Sequence, residues 1–171
     1  MKTIPTKINK YNVYNQGNRL LGTGDEVTLP SFEASSETVS GAGVLGEFDD
    51  PTVGYFSNME LEIPFRVLDQ EAVDMLDQTK AVQLELRGAE QTTNASGDIE
   101  FRPMRVVVRG RMVGFDPGKV KAGNGMETSV KLTILYILIE LEDKPMVELD
   151  KINEVFKIRG VDVLAKIKEM C

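Results

Sequence analysis

Alternation of apolar and polar side chains over long runs constrains the fold of this chain more than any other feature. In the run 57–67, Met59, Leu61 and Ile63 fall on one side and the charged residues on the other. A repeat of two residues is the period of a β-strand, whose side chains point to opposite faces in turn. Weaker alternation at 81–92 and long runs at 99–115 and 127–143, separated by turn-forming residues, extend this reading. We therefore predict a mainly β fold of long antiparallel strands.

The strand predicted near the end of this series is apolar on both faces. It runs from Val130 to Leu141 and follows the segment FDPGKVKAGNGM, which contains Asp116-Pro117-Gly118 and Asn124-Gly125 and predicts a hairpin with a long loop. A strand without a polar face needs cover on both sides. Either this chain or another subunit must supply that cover.

Two short helices complete the prediction. Asp69 can cap a first turn whose apolar stripe is Ala72, Val73 and Leu76, and a second helix is predicted over 162–170. A chain of 171 residues has the size of one domain. We expect a single domain over 1–171, a β-barrel or sandwich with one packed helix and a C-terminal helix. The Ser- and Gly-rich acidic segment at about 31–56 is expected to form a projecting loop or hairpin.

Composition excludes several classes of function. The sequence contains no histidine, so triads and zinc sites that depend on histidine are ruled out. Its single cysteine, Cys171, cannot form an intrachain disulfide, which favours folding in a reducing cytosol. With 27 acidic against 20 basic residues the net charge is −7, which is unfavourable for coating nucleic acid. No export signal or membrane anchor is readable, and we expect no enzyme activity, cofactor or metal.

Two short patterns suggest chemistry only weakly. Gly41 to Gly46 match GxGxxG, but acidic residues follow where a dinucleotide site would need a helix, so a loop is favoured. The acid pairs Asp49-Asp50 and Glu142-Asp143 could bind a cation or act in acid–base chemistry. Both pairs stand beside predicted turns, where solvated acids are common.

Four arginines in the run 102–111 form the strongest charged feature. Arg105, Arg109 and Arg111 share one strand face at a period of two. Three readings remain open: a solvated strand face, an ionic interface with an acidic surface of another copy, or contacts to nucleic acid by a monomeric oligonucleotide-binding β-barrel. For the second reading the counterpart is the acidic segment, represented by Glu33, Glu37, Asp49 and Asp50.

The order of segments resembles the major tail tube protein of contractile-tailed bacteriophages and of R-type bacteriocins. The resemblance covers nearly the whole chain, and its most specific parts come late. They are Val108-Arg109-Gly110-Arg111, the loop 119–125, Glu127-Thr128, the run 147–153 and Gly160-Val161-Asp162. Earlier parts are Asn12-Val13-Tyr14, Gly17, Gly22, Val27-Thr28-Leu29-Pro30, Gly41-Ala42-Gly43, Asp49-Asp50 and Met59-Glu60-Leu61.

This resemblance implies a structural subunit that assembles as hexameric rings, stacked into a tube with a large β-barrel wall. The implied partners are other copies of itself, the tail sheath protein, the tape-measure protein and the baseplate tube-initiator and tail-terminator proteins, with DNA only as passing cargo. It also implies a place in a virion tail or tail-like particle, assembled in the host cytoplasm. An acidic lumen would repel DNA phosphates, and we expect Glu60, Glu62 or Glu85 to line it.

Overall fold

The computed structural model describes residues 2–171 as two antiparallel sheets and two short helices. The helices are α1 (Gln70–Asp74) and α2 (Ala165–Met170). The strands are β1 (Ile4–Asn15), β2 (Asn18–Arg19), β3 (Ala34–Ser40), β4 (Glu47–Phe56), β5 (Glu60–Phe65), β6 (Val82–Thr93), β7 (Ile99–Asp116), β8 (Thr128–Leu141), β9 (Lys144–Asp150), β10 (Val155–Ile158) and β11 (Val161–Asp162). The predicted mainly β fold is confirmed.

Nine strands form the main sheet: eight follow the order β11-β10-β9-β8-β7-β6-β1-β2, and the ninth, β5, pairs with β8 beside this path. The long strand β8 pairs with β7 along one edge, while its other edge is shared between β5 at residues 128–133 and β9 at residues 136–141. This sheet does not close on itself within the subunit. Both of its ends are therefore open.

The hydrophobic core lies on one face of the main sheet. Leu61 of β5 lies opposite Leu132 of β8, and both are fully buried together with Leu84 and Val108. Ala72 and Met75, in and just after α1, add to the same core cluster. Burial of these aliphatic side chains supplies the main driving force for folding.

An irregularity in the pairing of β8 with β7 lets apolar side chains from both predicted faces of β8 reach the core. The register shifts between Arg109 and Gly110, so Ile134 and Ile137 both reach the core although they are three residues apart. Glycine is required here, since a Cβ at Gly110 would collide with the backbone oxygen of Thr133. The other face of β8 is half-buried in the subunit.

The helix predictions are confirmed in outline. The Asp69 carboxylate accepts a hydrogen bond from Gln70 N at 2.7 Å and caps α1. The second helix begins at Ala165, so the predicted start at 162 is wrong. Asp162 belongs instead to β11, paired with β10, and its carboxylate accepts a hydrogen bond from Leu164 N at 2.9 Å.

Strands β3 and β4 form a separate two-stranded hairpin within the segment 31–56. Its base is fixed by edge-to-face contacts of Phe56 with Phe32 and Phe156, at centroid distances of 5.6 and 5.1 Å. The GxGxxG motif is the connection between the two strands. A strand rather than a helix follows it, and this arrangement lacks the helix N-terminus that binds phosphate in dinucleotide sites.

Candidate assembly surfaces

The face of the main sheet opposite the core carries a network of charges, which we call the ionic face. Arg105 stands at its centre and donates hydrogen bonds at 2.7 Å to Glu85 Oε1 on β6 and to Glu140 Oε2 on β8. Arg87 donates a further bond to Glu85 Oε1 at 2.6 Å. Its guanidinium, together with that of Arg105, lowers the pKa of the Glu85 carboxyl despite partial burial.

A second cluster on the ionic face surrounds Tyr136. The guanidinium of Arg109 stacks 4.8 Å from the Tyr136 ring centroid and donates to Asp150 Oδ2 at 3.4 Å. The Tyr136 hydroxyl donates to Glu148 Oε1 at 3.2 Å. Burial, reinforced by the negative charge of Glu148, raises the pKa of Tyr136 to about 12. The hydroxyl therefore stays protonated at neutral pH.

The ionic face brings together residues that the sequence analysis assigned to two different surfaces. Glu85 and Arg105 are bonded to each other, and Glu60, Glu62 and Arg111 lie on the same face further along β5 and β7. Glu60 lies 3.9 Å from the ammonium of Lys131. Within residues 2–171, neither Glu62 nor Arg111 makes an ion pair.

Most of the arginines in the run 102–111 have carboxylate partners on their own chain. Arg102 makes a two-bond contact with Glu90 at 2.8 and 2.9 Å, and Arg105 and Arg109 are held as described above. Such pairs occupy the guanidinium donors that phosphate or another copy would need. Arg111 is the exposed arginine of this group that could still bind a partner outside the chain.

The hairpin presents the predicted acidic residues on different faces. Glu37 lies directly opposite Asp50, so two like charges face each other across the strands. Asp49 points to the other face and accepts a hydrogen bond from Thr38 Oγ1 at 2.8 Å. Glu33 precedes β3 at the base and is exposed. No basic residue occurs in 31–56.

The outer edge of β1 was missed by sequence reasoning. Over Ile4–Asn12 this strand pairs with β6 on one side, and no other strand of the described chain adjoins it. Its pattern is weak because its side chains are exposed from Ile4 to Lys10. An unpaired edge of this length is a site where another strand can be added. The available signal was the turn Gln16-Gly17, which follows β1 directly.

Among residues 2–171, no group of three or more acidic or cysteine side chains is placed to hold a metal ion. The helices described in the structure are too short to cross a membrane.

Comparison with known proteins gives consistent matches over almost the full length of the chain. The model of the family described as phage tail tube protein FII matches residues 5–170. The tail tube protein of Escherichia phage P2 is 29% identical over 171 residues, covering 94% of each chain. The major tail tube protein of Serratia phage KSP20 is 24% identical over 157 residues, covering 92% of this chain and 90% of the relative. Because the family model matches nearly the whole chain, this protein belongs to the phage tail tube protein FII family of structural tail proteins.

Proposed function

We propose that this chain polymerises as stacked hexameric rings to form the inner tube of a contractile phage tail or of an R-type bacteriocin particle. The observation that carries the proposal is the open main sheet, whose strand β1 keeps an unpaired edge over nine residues. A head-to-tail contact between the two open ends of adjacent subunits closes into a ring when the rotation is suitable. The combined strands then form a large barrel without free edges.

In this proposal the part of the ionic face that backs the core lines the lumen. It is opposite the packed core, and it carries all three glutamates expected there, Glu60, Glu62 and Glu85. Since Glu85 is neutralised by Arg87 and Arg105, the repulsion of DNA phosphate would come mainly from Glu62 and Glu60. A DNA-carrying tail with E60K and E62K should therefore release its genome more slowly. Unchanged release would contradict this role.

The acidic hairpin is proposed to mediate contacts between rings. It is exposed, and its base is fixed to the rest of the subunit by Phe56 and by Lys151, which donates to the carbonyl oxygen of Ser57 at 3.0 Å. A rigid base and a charged projecting end suit a contact between rigid rings. Arg111, which shares a face with Glu60 and Glu62, would line the lumen beside them.

The remaining partners follow from a place in the tail. They are the sheath protein outside, the tape-measure protein inside, and the tube-initiator and tail-terminator proteins at the ends. DNA is only passing cargo. Assembly would take place in the host cytoplasm before the particle is released.

Electron microscopy of a tail preparation, with this chain identified by mass spectrometry, tests the proposal. We expect it to be the repeating subunit of the inner cylinder, with sixfold symmetry about the axis. A different location in the particle, or a different symmetry, would contradict the proposal.

A further inference from the structure

Beyond the core, β1, β6 and β7 extend together and carry the outer end of the ionic face, an exposed surface that we call the distal platform. Pairing places Ile4 beside Thr93 and Ile99, and Lys7 beside Gln91 and Phe101. Lys10 lies two rows further along on β6, opposite Ala89. Residues directly opposite each other in a sheet share a face. Ile4, Lys7, Lys10, Ile99 and Phe101 therefore form one surface.

The distal platform is both apolar and positively charged. Ile4, Ile99 and Phe101 are 67%, 56% and 63% exposed, which is unusual for neighbouring large side chains in a soluble subunit. Lys7 and Lys10 make no ion pair in the described chain.

The acids in the same part of the sheet do not compensate these lysines. Glu90 and Glu100 fall on the opposite face by register. Glu90 is bonded there to Arg102, and Glu100 accepts a hydrogen bond from Asn94 Nδ2 at 3.0 Å. The platform is thus left with two ammonium groups beside three exposed apolar side chains.

One face of the hairpin has the complementary character, and we call it the hairpin face. It consists of Glu37 opposite Asp50 and, in the next row but one, Val39 opposite Phe48. Phe48 is 51% exposed. Two carboxylates directly opposite each other repel in the isolated subunit, and a pair of cations brought against them would relieve that repulsion.

We propose that the hairpin face of one copy docks on the distal platform of another copy. Lys7 and Lys10 would neutralise Glu37 and Asp50, while Phe48 and Val39 would cover Ile99, Ile4 and Phe101. A second copy is the occupant because the same chain carries two ammonium groups on one surface and two carboxylates on the other, each beside exposed apolar side chains. This inference rests on the proposed tube function and identifies the surface that receives the hairpin between rings.

Charge reversal tests the contact in polymerisation of the purified full-length chain, followed by light scattering and electron microscopy. The platform variant is K7E/K10E and the hairpin variant is E37K/D50K. Each reversal alone replaces attraction by repulsion, so the protein concentration needed for polymerisation should rise about tenfold or more. Circular dichroism of each variant verifies that the subunit is folded.

Mixing the two variants provides the decisive result. In the mixture, the basic hairpin of E37K/D50K can dock on the acidic platform of K7E/K10E, and the acidic hairpin of K7E/K10E can dock on the basic platform of E37K/D50K. An equimolar mixture should therefore polymerise at close to the wild-type concentration. A chain that carries all four reversals should do the same. The matched control is D25K/E26K, the same change of charge at two exposed acids outside the hairpin, which should polymerise as the wild type does.

The outcomes separate this inference from the tube function itself. If the wild-type chain forms tubes and K7E/K10E forms them equally well, the docking proposal is overturned while the tube function stands. Loss in both single variants without recovery in the mixture also overturns it. If the wild-type chain is absent from the inner cylinder of its particle, the tube function fails first.

Discussion

Replacing Arg105 with methionine should destabilise the subunit by an amount set by the two carboxylates that it joins. Methionine keeps an apolar stem of similar length but removes both 2.7 Å bonds. Glu85 keeps Arg87, whereas Glu140 loses its guanidinium partner. Bonds to charged groups contribute about 1.5–3 kcal/mol when protected and less than about 1 kcal/mol when exposed. Since Arg105 is 43% exposed, we expect a loss of about 1–3 kcal/mol in the free energy of unfolding.

Urea unfolding of the dilute subunit at neutral pH measures this loss, and R111M is the matched control. Arg111 lies on the same strand and face without an ion pair, so its replacement should cost less than about 0.5 kcal/mol. The folded-state pKa of Glu85 is lowered, chiefly by the hydrogen bond from Arg87 and also by Arg105. Its stabilising contribution is therefore complete above the unfolded pKa of about 4.3 and is lost as the pH falls through the folded pKa. The difference between wild type and R105M should shrink in acid. Equal stability of R105M and R111M, or a difference independent of pH, would refute the reasoning.

Three other changes have defined outcomes. Leu132→Ala removes a fully buried side chain and should cost about 2–5 kcal/mol in urea unfolding; a cost below about 1 kcal/mol would show that the core is not packed as described. In a spectroscopic titration, one tyrosine should ionise only near pH 12. This ionisation step should be absent in Tyr136→Phe, and it should move to lower pH in E148Q. Ionisation of all tyrosines at the same pH would contradict the burial of Tyr136. Lys151→Met leaves the carbonyl of Ser57 without its ammonium donor, so limited proteolysis within the hairpin should become faster; an unchanged cleavage rate would contradict the anchoring role.

Four of the long strands were predicted closely from the sequence. The four runs at 57–67, 81–92, 99–115 and 127–143 correspond to β5–β8 because each buries one face on a single core. Strands β1 and β9 were missed. β1 buries little, and the turn before β9 is made by Glu142 and Asp143, both with positive φ, where asparagine and glycine are the usual signal.

Partners of the charged side chains could not be predicted from the sequence. The acceptors of Arg105 lie 20 and 35 residues away in the chain, and only strand register brings them together. A slip of one residue would send them to the opposite face. The same reason explains why Arg105 and Glu85, which were expected on separate surfaces, are bonded to each other. The periodicity of a sequence shows on which face of a strand a side chain lies, but it does not show which residue of the adjacent strand lies beside it.

Backbone hydrogen exchange along Ile4–Asn12 tests most directly whether the strands of this chain complete their pairing between subunits. In the free subunit, amides of β1 directed away from β6 should exchange rapidly, because no strand of the described chain covers that edge. In the assembled tube the same amides should be strongly protected, as members of a shared barrel wall. Equal and rapid exchange in both states would contradict the account.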